Sequence, residues 1–199
     1  GIFQLVKVAL SSIVAMFGTY QIAANGVAQS IWSLAALIGS AMGPVFITVI
    51  GQCMGAKDVD QAKFYFSKLI KWSLAFFNCM ECTCFSDDTI YLTILYLANE
   101  TKHLIIILVI IHNIANTVVF PLSGPLSQGL RATGDVKFTM IVSIASTVGG
   151  RLVLSIILAL GLYLGVIGIA LAMCGDWTIR AIIFYYRYKS NAWTKFEVI

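Results

Sequence analysis

Residues 8–56 read VALSSIVAMFGTYQIAANGVAQSIWSLAALIGSAMGPVFITVIGQCMGA and contain no Lys, Arg, Asp or Glu. A soluble protein cannot be built around such a stretch, because an average globular chain carries about 25% charged residues and needs them on its surface. Across all 199 residues only 11% are charged and 59% are hydrophobic, and the mean hydropathy is +0.90. The composition places the chain in a bilayer. It excludes a disordered segment, a nucleic-acid module, for which a net charge of +4 is too modest, and a secreted disulfide scaffold, since the five cysteines sit among apolar residues.

Outward from this stretch the spans can be counted. A helix rises about 1.5 Å per residue and the hydrocarbon core is about 30 Å thick, so a span needs about 20 apolar residues. On this measure the chain reads as an all-α, polytopic transmembrane bundle of six helices, at about 2–17, 21–55, 59–80, 102–129, 135–161 and 166–186. The first is a partial span. The third starts amphipathic (DVDQAKFYFSKLIKW, 58–72), and the fourth contains the run LIIILVII (104–111). Gly1 is followed at once by apolar residues, with no charged leader region, cleavage site or initiator Met, so the chain is expected to be part of a longer protein. Lys57, Lys63, Lys68, Lys71, Arg131, Lys137, Arg180, Arg187, Lys189 and Lys195 fall on one side of these spans and Lys102 on the other. Retention of positive charge inside predicts a cytoplasmic C-terminus.

Several polar residues fall within the spans. A charge at the bilayer centre costs about 2.5 to 3.5 kcal/mol on insertion scales and needs a partner or a watery cavity. Lys7, Arg151 and Asp176 each lie ten residues from the outer end of their helix, about 15 Å deep. The same depth on the fourth helix reaches His112 and Asn113, with Asn116 one turn from His112, while Asn25 and Gln29 share a face of the second. A polar layer between hydrophobic ends is what a translocation site requires. Asp176 has two candidate partners: Arg151 across a short GLYLG link, or Arg180 one turn along its own helix. Asp176 and His112 are the candidates to change charge, Lys7 and Arg151 to tune them, and Gln29, Asn113 and Asn116 to bind substrate or ion. Trp32, Phe46 and Phe120 are candidate aromatic lining for a cationic solute.

Pro121 and Pro125 sit in FPLSGPLSQG (120–129), a composition that interrupts helical hydrogen bonding and predicts a bend of the kind found in moving parts of transporters. Small residues four apart, Gly39 with Gly43, Gly51 with Gly55 and Gly161 with Gly165, predict close helix approach. Cys79, Cys82 and Cys84 have a metal-like spacing but no fourth ligand, so no metal or other cofactor is expected beyond a coupling H⁺ or Na⁺. Asn99-Glu100-Thr101 is a glycosylation sequon, meaningful only in a eukaryotic secretory host. No phosphate loop, HExxH or GxSxG is present, and no enzymatic activity is expected.

Four stretches carry a family resemblance: IAANGVAQSIWSL (22–34), ITVIGQCMGAKDVDQAKFY (47–65), LRATGDVKFTMIVSI (130–144) and GVIGIALAMCGDWTIRAIIFYYRY (165–188). Together, in this order, they resemble the C-terminal half of the multidrug and toxic compound extrusion (MATE) transporters. The motif positions that correspond are Gly51, Gln52, Gly55, Asp58 and Ala62, then Arg131, Gly134 and Asp135, then Asp176, Trp177 and Arg180. The resemblance implies the second six-helix lobe of a twelve-helix antiporter, with the N-terminal lobe as partner. It implies export of organic cations, drugs or xenobiotics in exchange for H⁺ or Na⁺ by rocking of two lobes, across what is expected to be a bacterial plasma membrane. It also implies that most of these motif residues hold helix contacts. The chain departs from the family where part of it places cation-binding carboxylates: the seventh-helix position would precede Gly1, and the tenth helix offers His112, Asn113 and Asn116 instead. Coupling is therefore expected to depend on the other lobe. The competing expectations are a lipid or polysaccharide flippase of related fold, and a truncated lobe that transports nothing.

Overall fold

The computed structural model of the protein describes residues 1–85 and 99–196, with the side chains of 34–35, 38–40, 81–85 and 100 outside the description. The described residues form helices and turns only, an all-α bundle. Helix α1 is Ile2–Ala15, α2 is Gly18–Ala35, α3 is Leu37–Gly55, and α4 is Val59–Phe85. Helix α5, Asn99–Val118, is followed by two short helices, α6 at Phe120–Ser123 and α7 at Pro125–Ala132. The bundle closes with α8 at Val136–Gly161, α9 at Gly165–Lys189 and a 3-10 turn at Ala192–Lys195. Among the described residues, three helical segments are long and apolar enough to cross a membrane: Thr101–Val118, Val136–Gly161 and Gly165–Lys189, joined by the shorter apolar helices Ile2–Ala15 and Ala41–Gly55.

Two of the expected spans are subdivided. A continuous helix over 21–55 would be about 50 Å long, well beyond the hydrocarbon core, and the chain turns at Ala36, between α2 and α3. Pro44 is accommodated inside α3. The expected span 102–129 breaks twice, at Val119 and Gly124, because Pro121 and Pro125 each sit in the first turn of a new helix. A proline there lacks only an N–H that the helix start would leave unbonded, whereas inside a helix it removes a rung.

Helix α8 is regular for its first ten residues and then π-helical over Ser146–Leu152 and Ile156–Gly161. Widened turns of this kind are uncommon and cluster at functional sites.

Helix α9 is the hub, packing against α5, α6 and α8. It approaches α8 most closely at Gly168, where an added Cβ would come within 2.6 to 2.9 Å of the backbone of Leu158 and Ala159. Gly165 opens α9 at φ +56, and the Gln21 side chain of α2 accepts a hydrogen bond from Val166 N at 3.2 Å, occupying one of the unpaired donors of the α9 start. The expected small-residue pairs mark close contacts only in part: Gly165 lies against the Gln21 side chain of α2 and Gly43 against the Gln128 side chain of α7. Gly51, Gly55 and Gly161 have nothing near a hypothetical Cβ, and Gly129 instead admits the rings of Phe46 and Phe66.

Three apolar clusters stack along the bundle. One joins Val6, Leu10 and Val14 of α1 to Ala24, Ala28, Ile105, Leu108 and the start of α9. A second gathers α3, α4, α7 and the end of α9 around Phe46, Phe66, Phe184 and Trp193. Between them Ala115, Met173 and Trp177 pack with Trp32, Val119 and Phe120. Near the Trp193 end, Arg187 Nε donates to Asp135 Oδ2 at 2.7 Å, and its guanidinium lies 4.5 Å from the Phe138 ring centroid.

Candidate translocation site

The middle cluster borders a cavity of about 520 Å³. Its wall is drawn from α1, the α2–α3 turn, α3, the broken segment α6–α7, α8 and α9. Gly124 and Pro125 bring the helix break itself into this wall. The aromatic part is Phe3, Phe120 and Trp177; the rings of Phe120 and Trp177 meet edge to face at 5.0 Å, with Trp32 stacked on Trp177 at 5.6 Å. The polar part is Ser123, Ser127, Gln128, Ser143, Arg131 and Arg180.

Behind Arg180 lies the most deeply buried charge of α9. Asp176 is fully buried. One carboxylate oxygen accepts from the Ser146 hydroxyl and the other from Arg180 Nη2. Of the two partners the sequence allows, Arg180 makes the ion pair. Their spacing of four residues puts both on one helix face, whereas Arg151 directs Nη2 at Met173 Sδ, 3.0 Å away, and has no ion pair among the described residues. Ser146 opens the first π-helical stretch of α8, and its Oγ also lies 3.2 Å from the Asp176 carbonyl oxygen. A carboxylate removed from water is stable only with its lone pairs engaged, and this one is engaged on both sides.

The remaining predicted residues lie elsewhere. His112, Asn113 and Asn116 are buried on α5, and neither imidazole nitrogen of His112 has a hydrogen-bond partner among the described residues. Cys174 Sγ of α9 faces the carbonyl of Ile111 at 3.8 Å, so this part of α5 and the Arg151–Met173 contact flank the same turn of α9. Gln29 is half-buried on α2 and Lys7 is exposed on α1, beside the buried Val6. None of these five, nor Arg151 or Asp176, is among the residues that line the cavity. Of the predicted aromatics, Phe120 lines it, Trp32 supports Trp177 from behind, and Phe46 is fully buried in the neighbouring apolar cluster. Of the two proline positions, Pro125 lines it and Pro121 is buried beside it.

Of the residues expected only to hold helix contacts, Trp177, Arg131 and Arg180 face the cavity. Asp58 Oδ1 accepts from Gln61 N at 3.0 Å and caps the start of α4, Gly134 turns the chain at φ +93, and Ala62 is fully buried. Gln52 and Asp58 border a smaller cavity of about 370 Å³. Cys79 is exposed, while Cys82, Cys84 and the Glu100 of the sequon lie outside the described side chains. Sequence reasoning missed Ser146, Ser143 and Gln128. Each is one small polar residue among several in an apolar segment, and only the packing of α8 and α7 against α9 and α3 distinguishes them.

Comparison with known proteins bears on what such a cavity is for. The family model described as MatE matches residues 2–157. An uncharacterised transporter, YisQ of Bacillus subtilis (strain 168), is 26% identical over 197 residues, covering 96% of this chain. The chain spans 42% of the length of that relative. No solved structure matches.

Proposed function

Because the chain belongs to the MatE family, a family of membrane transporters, we propose that it forms the C-terminal lobe of an antiporter that exports organic compounds, organic cations and drugs among them, in exchange for H⁺ or Na⁺. Its apolar helices and its family make it an integral membrane protein. The proposed setting is a bacterial plasma membrane with the C-terminus in the cytoplasm, and the proposed partner is the N-terminal lobe, which would close the cavity from the other side.

The observation that carries this reading is the cavity wall. A discontinuous helix, broken at Val119 and Gly124, packs against the Trp177–Arg180 turn, and the two together line a cavity of about 520 Å³. Broken helices at a cavity are how secondary transporters expose backbone groups to a substrate and change shape around it. Behind that wall, Asp176 supplies a group whose charge can be coupled to the cavity. The carboxylate holds Arg180 of the wall on one side and Ser146 of α8 on the other, so a change at this one group would reach both the wall and the helix behind it.

Ethidium export from cells tests the proposal, comparing this chain alone, the chain joined to the upstream lobe, and the joined protein carrying Asp176→Asn, at matched membrane levels. Export by the joined protein and its loss in Asp176→Asn are expected, with wild-type export abolished by collapse of either the pH or the Na⁺ gradient. No export of ethidium or other drugs by the joined protein would overturn drug efflux and favour a flippase or a non-transporting lobe.

A further inference from the structure

The charge around the cavity is one-sided. Arg131 and Arg180 both line it, and no carboxylate is among its described lining residues. Asp176 compensates Arg180 but is fully buried, with both oxygens engaged by Ser146 and Arg180, so it offers nothing to a solute. Arg131 has no ion pair among the described residues. Its Nε donates to Thr139 Oγ1 at 3.3 Å, which leaves the paired Nη groups of the fork available to a ligand. Asp135, four residues on, is already taken by Arg187.

From this arrangement we infer that the cavity is a subsite for the anionic group of an organic solute, a carboxylate or a phosphoryl or sulfonyl oxyanion, whose aromatic body rests on Phe120, itself backed by the buried Trp177. Arg131 is the primary anchor, because a guanidinium binds a planar carboxylate through two parallel hydrogen bonds. Gln128 and Ser143 supply neutral donors around it, whereas the Ser123 and Ser127 hydroxyls already donate to the carbonyls of Phe120 and Gly124. The inference deepens the transport reading by assigning this lobe zwitterionic and anionic aromatic compounds in preference to plain cations.

Rhodamine B and its ethyl ester make the test, since they share one cationic ring system and differ only in a free carboxylate. Binding of each to the 199-residue chain in phosphatidylcholine nanodiscs is measured by fluorescence polarisation, with empty nanodiscs subtracted. The carboxylate dye is expected to bind about tenfold more tightly. Arg131→Gln should remove that preference with little change for the ester, and Arg131→Lys should keep part of it. Equal or tighter binding of the ester, failure of both dyes to bind, or a preference that survives Arg131→Gln would each overturn the inference. Loss of carboxylate-dye binding when phosphatidylglycerol is added would assign the site to a lipid headgroup and overturn the solute assignment. Binding is read without transport. A preference in nanodiscs beside a lack of export would therefore sink the transport reading alone, and export without a preference would sink this inference alone.

Discussion

Among the described glycines, Gly168 is the one set closest against the backbone of another helix. A methyl group there would sit 2.6 Å from Ala159 N and 2.7 Å from the Leu158 carbonyl carbon, and main-chain atoms of a packed helix cannot turn aside as a side chain can. Gly168→Ala is expected to destabilise the bundle by about 1 to 3 kcal/mol, read as a lower midpoint of thermal unfolding in detergent micelles. Gly51→Ala, with open space around it, should stay within about 0.5 kcal/mol. Spacing alone pointed to Gly39, Gly43, Gly51, Gly55, Gly161 and Gly165, of which Gly51, Gly55 and Gly161 meet no neighbour, because a four-residue repeat marks a face without saying whether a neighbour covers it. Asp176 and Arg180 were legible as a possible pair from their spacing. Ser146, which completes the carboxylate's coordination from another helix, was not, since its partner lies 30 residues away in sequence.

At the scale of the element, the division of one expected helix into α5, α6 and α7 follows from two prolines, and substitution should reverse it. A proline inside a helix costs about 3 kcal/mol. Replacing both Pro121 and Pro125 with alanine should let the helix run on through Val119, slow amide exchange at Leu122 and Leu126 by about tenfold or more, and reduce export by the joined protein. Unchanged exchange would mean that Gly124 and tertiary packing set the break. The composition FPLSGPLSQG announced this interruption. Two other interruptions were silent in the sequence. The turn at Ala36 falls between ordinary helix formers, with Pro44 well inside the next helix, and the π-helical stretches of α8 keep the apolar character of the segment while changing its winding. Hydropathy measures what a helix touches and is blind to how it is wound.

For the molecule as a whole, the helical class and the bilayer setting follow from a long uncharged stretch, but the way the far ends are tied does not. Asp135, 3% exposed, starts α8 and is held by Arg187 near the end of α9, while Trp193 packs back onto Phe66 of α4. Arg187→Ala would leave a buried carboxylate without its cation, at a cost of about 3 to 5 kcal/mol. It should open residues beyond Tyr188 to limited proteolysis, whereas Lys189→Ala, on an exposed position, should not. The chain's biosynthesis is touched by a different ion pair. Asp176 and Arg180 are one turn apart on the last long helix, so α9 delivers its deepest negative charge with the counter-ion already attached. A nascent helix of this kind leaves the translocon with the charge of its middle already balanced and its remaining cations, Arg187 and Lys189, in the last turn. Arg151 on α8 has no such companion on its own helix, and α8 is the segment whose entry into lipid must await the arrival of its neighbours.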